Sequence, residues 1–394
     1  MGLRERTNRN KAINTAIKNL EKQLKSEGIC QVMGEKANEV IERFPSGSIA
    51  LDVALGGGIP QGRILELFGY ESSGKTLIAT RAMAEVQKLG GTAALVDFEM
   101  SFDPSFARKL GLNPDSLIIS QPETMEDGLT VIEALAESNA VDIIVLDSIA
   151  SMVPKAEFDA EVGKQNIAVQ ARILSQFLRK LIGVCAKTGC TVVCINQMRD
   201  NVGVLYGDPT TTPGGRALKF YSSIRIRVSK MSGGKIEVKK GAQTEVVGQW
   251  IKCSVQKNKT SLPFRVAEFP VRFDGKGTNV ADELAEIAIA NGLIPKYDSA
   301  GNVSASGRTY KLQIDDEILL AKKKDDVRVE LAKCPKVQNY LLELIRSGKY
   351  LEEMPEEEIE EDDFSNMTDE EFENALVSGS EAEETTGGSG WDNV

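Results

Sequence analysis

The chain has 394 residues, 41% hydrophobic and 27% charged, which describes a soluble globular protein of two or three domains at roughly 150 residues each. Its formal charge is −11 and it contains no histidine, so Ser-His-Asp triads, Cys-His proteases and His-ligated zinc are excluded. Any general base must be Asp, Glu, Lys or Tyr.

From the N-terminus, residues 9–27 read as an amphipathic helix. Ile13, Ile17, Leu20 and Leu24 recur at near-helical spacing with charged residues between. One helix cannot bury that stripe alone, so it must pack on its own body or on a neighbouring subunit. Residues 28–45 read as a linker. The N-terminus has no apolar signal segment, and no apolar run approaches the roughly 18 residues a spanning helix needs. The expectation is a cytoplasmic protein with no membrane partner.

Residues 46–277 alternate strands and helices, the signature of an α/β fold with a mostly parallel central sheet. Apolar runs at 64–68, 92–97, 143–147 and 191–196 read as buried parallel strands. Helical stretches fall at 77–89 and 168–187. Segments 223–228, 249–255 and 264–272 suggest further strands with less helix between. Cys185, Cys190 and Cys194 sit in an apolar stretch without C-x-x-C spacing; with Cys30, Cys253 and Cys334 they read as small buried thiols in a reducing compartment. Residues 278–350 form a smaller α+β unit, with helices expected at 280–291 and 337–347.

The C-terminal end carries the acid. No basic residue follows Lys349, but 17 acidic ones do, so residues 1–350 hold 47 basic and 41 acidic side chains, a net of +6. Residues 351–394 read as a disordered tail. It either solubilises the protein or competes as a polyanion with DNA for a basic surface.

The strongest chemical signal is Gly69-Tyr70-Glu71-Ser72-Ser73-Gly74-Lys75-Thr76, which fits G-x-x-x-x-G-K-[ST] between a predicted strand and helix. Backbone amides and the helix N-terminus would wrap a phosphate. Lys75 would reach the β- and γ-phosphates, and the Thr76 hydroxyl would bind Mg2+. Asp147, ending the run Ile143-Ile144-Val145-Leu146, would sit at the carboxyl edge of the sheet and hold the Mg2+ or its water shell. Hydrolysis also needs a residue that orients water. Glu99, just beyond a neighbouring strand, is the candidate, with Asp97 as its competitor.

These segments, together with Gly47-Ser48-Ile49-Ala50-Leu51-Asp52, Asp97-Phe98-Glu99, Asn196-Gln197-Met198-Arg199 and Gly214-Gly215-Arg216-Ala217-Leu218-Lys219-Phe220-Tyr221, resemble the bacterial RecA family of DNA strand-exchange recombinases over roughly residues 10–345. The resemblance implies a RecA-like P-loop ATPase core, an N-terminal oligomerisation helix, ATP and Mg2+ as cofactors, and a helical homo-oligomeric filament. It makes Glu99 the catalytic glutamate and Gln197 the sensor of the γ-phosphate. It places Asp103 and Phe106 against adenine, and Lys257 and Lys259 on the ATP of the adjacent subunit. By residue type alone, those lysines are two cations suited to stabilising a transferred phosphoryl group. Phe220 matches a subunit-interface position.

Two polar loops, about 157–167 and about 198–213, interrupt the core, and loops of that length are usually functional or disordered. The family resemblance makes them grips for single-stranded DNA, with Ile167, Arg172, Ser175, Arg179, Arg199, Val202, Gly214, Gly215 and Arg216 as contacts. Homologous duplex DNA would then be read by base pairing. Single-stranded-DNA-binding and loader proteins are the further partners it implies.

The chain departs from the family at Tyr70 (usually Pro), Met100 (commonly His), Arg216 (usually Asn) and Asn201 (commonly Lys). The missing histidines and the long acidic tail fit a virus-encoded member. Two rivals share the core: a ring helicase, whose dedicated helicase or primase-interacting region is not apparent, and a regulatory ATPase, which the Lys75, Asp147 and Glu99 set disfavours.

Overall fold

The computed structural model describes residues 3–25, 30, 41–160, 167–200, 210–240, 243–272 and 280–347. The expected acidic tail and the greater part of both expected loops, 161–166 and 201–209, lie outside these residues.

In chain order the elements are α1 (Leu3–Leu24), β1 (Arg43–Phe44), α2 (Ile49–Leu55), β2 (Ile59–Pro60), β3 (Ile64–Gly69), α3 (Lys75–Lys88), β4 (Ala93–Asp97), α4 (Pro104–Lys109), β5 (Ile118–Ser120), α5 (Met125–Glu137), β6 (Ile143–Asp147), α6 (Lys155–Phe158) and α7 (Ile167–Thr188). Then follow β7 (Thr191–Gln197), β8 (Arg199–Asp200), β9 (Thr210–Thr211), α8 (Ala217–Tyr221), β10 (Ile224–Lys240), β11 (Gln243–Asn258), β12 (Val266–Arg272), α9 (Val280–Ala290), β13 (Lys296–Tyr297), β14 (Thr309–Ile314), β15 (Glu317–Ala321), α10 (Lys324–Leu331) and α11 (Pro335–Ser347).

Eight strands form one sheet in the order β12-β11-β10-β3-β7-β6-β4-β5. The run from β10 to β5 is parallel, and β11 and β12 extend it antiparallel. The apolar runs explain the parallel part, because strands covered by helices on both faces have no polar side to show. Leu65, Leu67, Leu95, Val145 and Val193 face α3. Ile64, Val96, Ile144, Leu146 and Cys194 alternate to the face covered by α5 and α7. Each such aliphatic side chain stabilises the fold by about 1.5–3 kcal/mol on burial.

Residues 280–347 close a third core around Leu284, Ala288, Leu319, Leu331 and Leu341, which also takes in Ile49 of α2. A buried Glu283 ties α9 to α2: Ser48 Oγ donates to it at 2.5 Å and Ala50 N at 2.8 Å. Ser48 is itself the N-cap of α2, and its oxygen accepts from Leu51 N.

In the N-terminal stripe, Ile13, Leu20 and Leu24 are exposed and Ile17 is half-buried, which leaves the expected docking on a neighbouring subunit open. Two expectations change. Five cysteines are buried, but Cys30 is exposed. The second loop is not open along its whole length, because β8 and β9 zip its base, Arg199 opposite Thr211 and Asp200 opposite Thr210. Two β-branched threonines favour that ladder. Among the described residues no helix is long and apolar enough to cross a membrane.

Candidate nucleotide and nucleic-acid sites

The phosphate loop leaves β3 at Gly69 and enters α3 at Lys75, with Gly74 as the N-cap. Gly69 must be glycine, since an added Cβ would lie 2.1 Å from Val228 O and 2.9 Å from Ser73 Oγ. Lys75 Nζ donates to the carbonyls of Gly69 (3.1 Å) and Tyr70 (2.7 Å), which hold the ammonium over the loop. Burial pulls its pKa down; Asp147, Glu99 and Glu71 oppose that pull. Ser72, Ser73, Gly74, Lys75 and Thr76 line a cavity of about 300 Å³. Asp103 and Phe106 line the same cavity. Asp103 is also the N-cap of α4, accepting from Ser105 N at 2.8 Å and Phe106 N at 3.3 Å. The Ser105 hydroxyl and those amides hold its carboxyl below the usual range.

Asp147 ends β6 opposite Asp97, which ends β4. The Thr76 hydroxyl donates to Asp147 Oδ2 at 2.7 Å. Asp147 Oδ1 is buried with no hydrogen-bond partner, a costly state that a cation or its bound water would relieve. Burial, then the nearby Glu99 and Asp97, push the Asp147 carboxyl up to about 6 despite the Thr76 bond. One hydroxyl and one carboxylate beside a phosphate loop suit Mg2+, which binds through one or two protein oxygens, waters and substrate phosphates. No protein-only cluster of three or more metal ligands exists among the described residues.

The two carboxylates beyond β4 separate cleanly. Asp97 is buried, and its oxygens accept from Glu99 N (3.1 Å), Phe102 N (3.2 Å) and Gln121 Nε2 (3.1 Å). These bonds brace the turn, and Asp97 also lines the cavity. Glu99 is exposed, and its Oε1 accepts from Ser148 Oγ at 2.5 Å, Ser151 Oγ at 3.3 Å and Gln197 Nε2 at 3.3 Å. Phe98 N donates to Asp147 O at 2.7 Å, which seats Glu99 beside β6. The two serines escape sequence reasoning because they work only through Glu99; the Asp147-Ser148 pair is the sole hint.

A groove runs between α7 and α8, lined by residues that include Arg172, Ser175, Arg216, Phe220 and Lys259. Arg172, Ser175 and Arg179 follow the helical repeat of α7. Arg179 Nε donates to Tyr221 OH at 3.3 Å. Gly214 and Gly215 have φ of 85° and 72° and lie against α7. A Cβ on Gly214 would come within 2.7 Å of Leu174, and one on Gly215 within 3.1 Å of Ala171. Lys257 Nζ donates to Lys219 O (2.6 Å) and Phe220 O (3.1 Å), carbonyls in the last turn of α8, and Lys259 Nζ lies 3.5 Å from Phe220 O. Phe220 is 68% exposed. Arg199 opens β8. Ile167 begins α7, while Val202 and Asn201 lie outside the described residues.

Sequence reasoning also missed Glu66, Asn196 and Arg225, which form a buried polar network between the two sites. The signal was available: a lone carboxylate in Ile64-Leu65-Glu66-Leu67-Phe68 is a charge in a strand that is otherwise all core.

Residues 11–279 match the family model described as the RecA N-terminal domain. Three proteins named Protein RecA are similar over most of their length. That of Enterococcus faecalis is 48% identical over 286 residues, covering 72% of this chain and 80% of that protein. That of Enterococcus faecium is 43% identical over 354 residues, 89% of this chain and 96% of its own. That of Lactobacillus johnsonii is 49% identical over 290 residues, 73% of this chain and 78% of its own.

Proposed function

The chain belongs to the RecA family and is a homologous recombination protein, and from that premise we propose that it hydrolyses ATP in a helical filament on single-stranded DNA, with which it searches duplex DNA and exchanges strands. The observation that carries this reading is the 3.3 Å contact of Gln197 Nε2 with Glu99 Oε1. It joins the phosphate pocket to the residue that ends β7, directly before the second loop.

In this reading Lys75 exchanges its loop carbonyls for the β- and γ-phosphate oxygens. Thr76 and Asp147 would hold Mg2+, which would supply charge neutralisation on the phosphates. Glu99, aimed by Ser148 and Gln197, accepts a proton from the water that attacks the γ-phosphorus. Phe106 offers a ring to the adenine, and Asp103 a carboxylate. Gln197 exchanges Glu99 for the γ-phosphate and so changes the base of the second loop. Lys257 and Lys259 reach the nucleotide of the next subunit. The uncovered stripe of α1 docks on a neighbouring core, a head-to-tail contact that extends without closing. Arg172, Arg179, Arg199 and Arg216 hold DNA phosphates, the amides of Gly214 and Gly215 approach the strand, and Ser175 hydrogen-bonds beside them. Ile167 and Val202 act between bases. Single-stranded-DNA-binding and loader proteins remain expected partners.

The test is ATP hydrolysis with and without single-stranded DNA, electron microscopy of the same samples, and a strand-exchange assay. DNA-stimulated turnover, helical filaments and exchange of homologous strands are expected. Closed rings, or turnover indifferent to DNA, would overturn the reading in favour of a ring helicase or a regulatory ATPase.

A further inference from the structure

Glu66 stands in the central strand with 0% of its side chain exposed. Both oxygens are used. Oε1 accepts from Asn196 Nδ2 at 3.0 Å, and Oε2 accepts from Arg225 Nε at 2.5 Å. Asn196 Nδ2 also donates to Pro213 O at 3.1 Å, and Asn196 Oδ1 accepts from Gln197 N at 3.0 Å. Arg225 stacks on Phe68, 4.4 Å from the ring centroid.

The chain path gives this network its meaning. Pro213 precedes Gly214-Gly215-Arg216, α8 follows, and Arg225 is the second residue of β10. One buried carboxylate therefore anchors the segment 213–225 at both ends, through Asn196 at the first and directly at the second. Between the anchors lie the glycines pressed on α7 and the two carbonyls that hold Lys257. Arg225 is also the cross-strand partner of Lys257. Like charges placed opposite each other repel, and Glu66 offsets that repulsion. Burial lowers the Lys257 pKa first, with Lys259 and Arg225 adding to the effect and Glu66 opposing it.

We propose that Glu66 is a positioning residue that couples the nucleic-acid groove to the subunit-interface lysines, by making the segment 213–225 move as one piece. Movement of the glycines when a strand binds is passed through α8 to the carbonyls of Lys219 and Phe220, and so to Lys257. The inference rests on the proposed function for the roles of the groove and of Lys257.

The test compares full-length wild type with Glu66→Gln and with the paired Glu66→Gln/Arg225→Gln variant. Glu66→Gln leaves a buried guanidinium without its partner and can fail to fold; the paired variant removes both charges together. Four quantities are measured: ADP affinity, affinity for single-stranded DNA, hydrolysis without DNA and its stimulation by saturating DNA. In the paired variant, stimulation is expected to fall about tenfold, within the usual span of coupling between sites. The other three should stay within about twofold, as for changes at a distance. Wild-type stimulation in a folded paired variant overturns the proposal. So does a parallel fall in all four quantities, which marks a merely structural role. If wild type itself shows no DNA-stimulated turnover, the proposed function fails and the coupling fails with it.

Discussion

The phosphate pocket and the α7–α8 groove share one sheet and are built in opposite ways. The pocket is made largely of neighbours in sequence: Ser72 to Thr76 come from one turn, and Asp147 and Asp97 arrive on strand ends in direct register. The groove is made of strangers, with Arg172, Arg216 and Lys259 drawn from three elements far apart in the chain. The pocket ties its groups to one another, Lys75 to a loop carbonyl and Thr76 to Asp147, whereas the groove presents exposed cations to an open face. A cavity lined by fixed polar groups suits charge chemistry on a small ligand; an open cationic groove suits a long polyanion.

Substitutions can break or sharpen that contrast. The largest effect is expected for Lys75→Ala. Its ammonium contacts only loop atoms, so folding should persist while hydrolysis falls by roughly 100-fold or more, in line with losing a preorganised charge at a developing anion. Steady-state turnover and the thermal midpoint check both halves. Glu99→Gln should lower turnover by about 10²–10⁴, the range of a general base, with ATP binding retained. Asp97→Asn should instead lower the melting temperature, because it disturbs three hydrogen bonds that brace the turn. Equal kinetic defects in the two variants would undo the assignment of Glu99 over Asp97.

Gly214→Ala tests the groove. A left-handed φ of 85° and a Cβ 2.7 Å from Leu174 should together cost about 1–2 kcal/mol and weaken DNA binding without changing ADP affinity. Titration of Asp147 tests the pocket again. Its carboxyl is pushed up to about 6, so it is neutral below that pH and charged above it. Mg2+-dependent nucleotide affinity should therefore rise as pH increases through about 6 and then level. Asp147→Asn should flatten the profile. The stability contribution has the opposite sign: the unfolded chain loses this proton at lower pH, so stability falls as pH rises from about 4 to about 6. The smallest change is Arg216→Asn, which should weaken DNA binding several-fold and reduce the salt slope by about one.

Much of this was legible in the chain. The four apolar runs fell within one residue of β3, β4, β6 and β7, because a strand buried on both faces has no choice but to be apolar. The phosphate loop was legible for a related reason: its glycines and Lys75 act locally. Helix α5 escaped notice, although its buried stripe of Met125, Leu129, Ile132 and Ala136 lies at helical spacing. The zipped base of the second loop escaped too, since two β-branched residues are too short a run to mark a strand until Arg199 and Asp200 lie opposite.

The sequence by itself determined the α/β class, the phosphate-loop motif and the family, because burial and backbone geometry act over a few adjacent residues. Only the tertiary structure decided that Asp97 accepts three hydrogen bonds that brace the turn while Glu99 meets Ser148 and Gln197. It also decided that Glu66 sits at the junction of Asn196, Pro213 and Arg225. A hydrogen bond has direction and a reach of about 3 Å, and whether a distant partner lies within that reach is set by the folded chain.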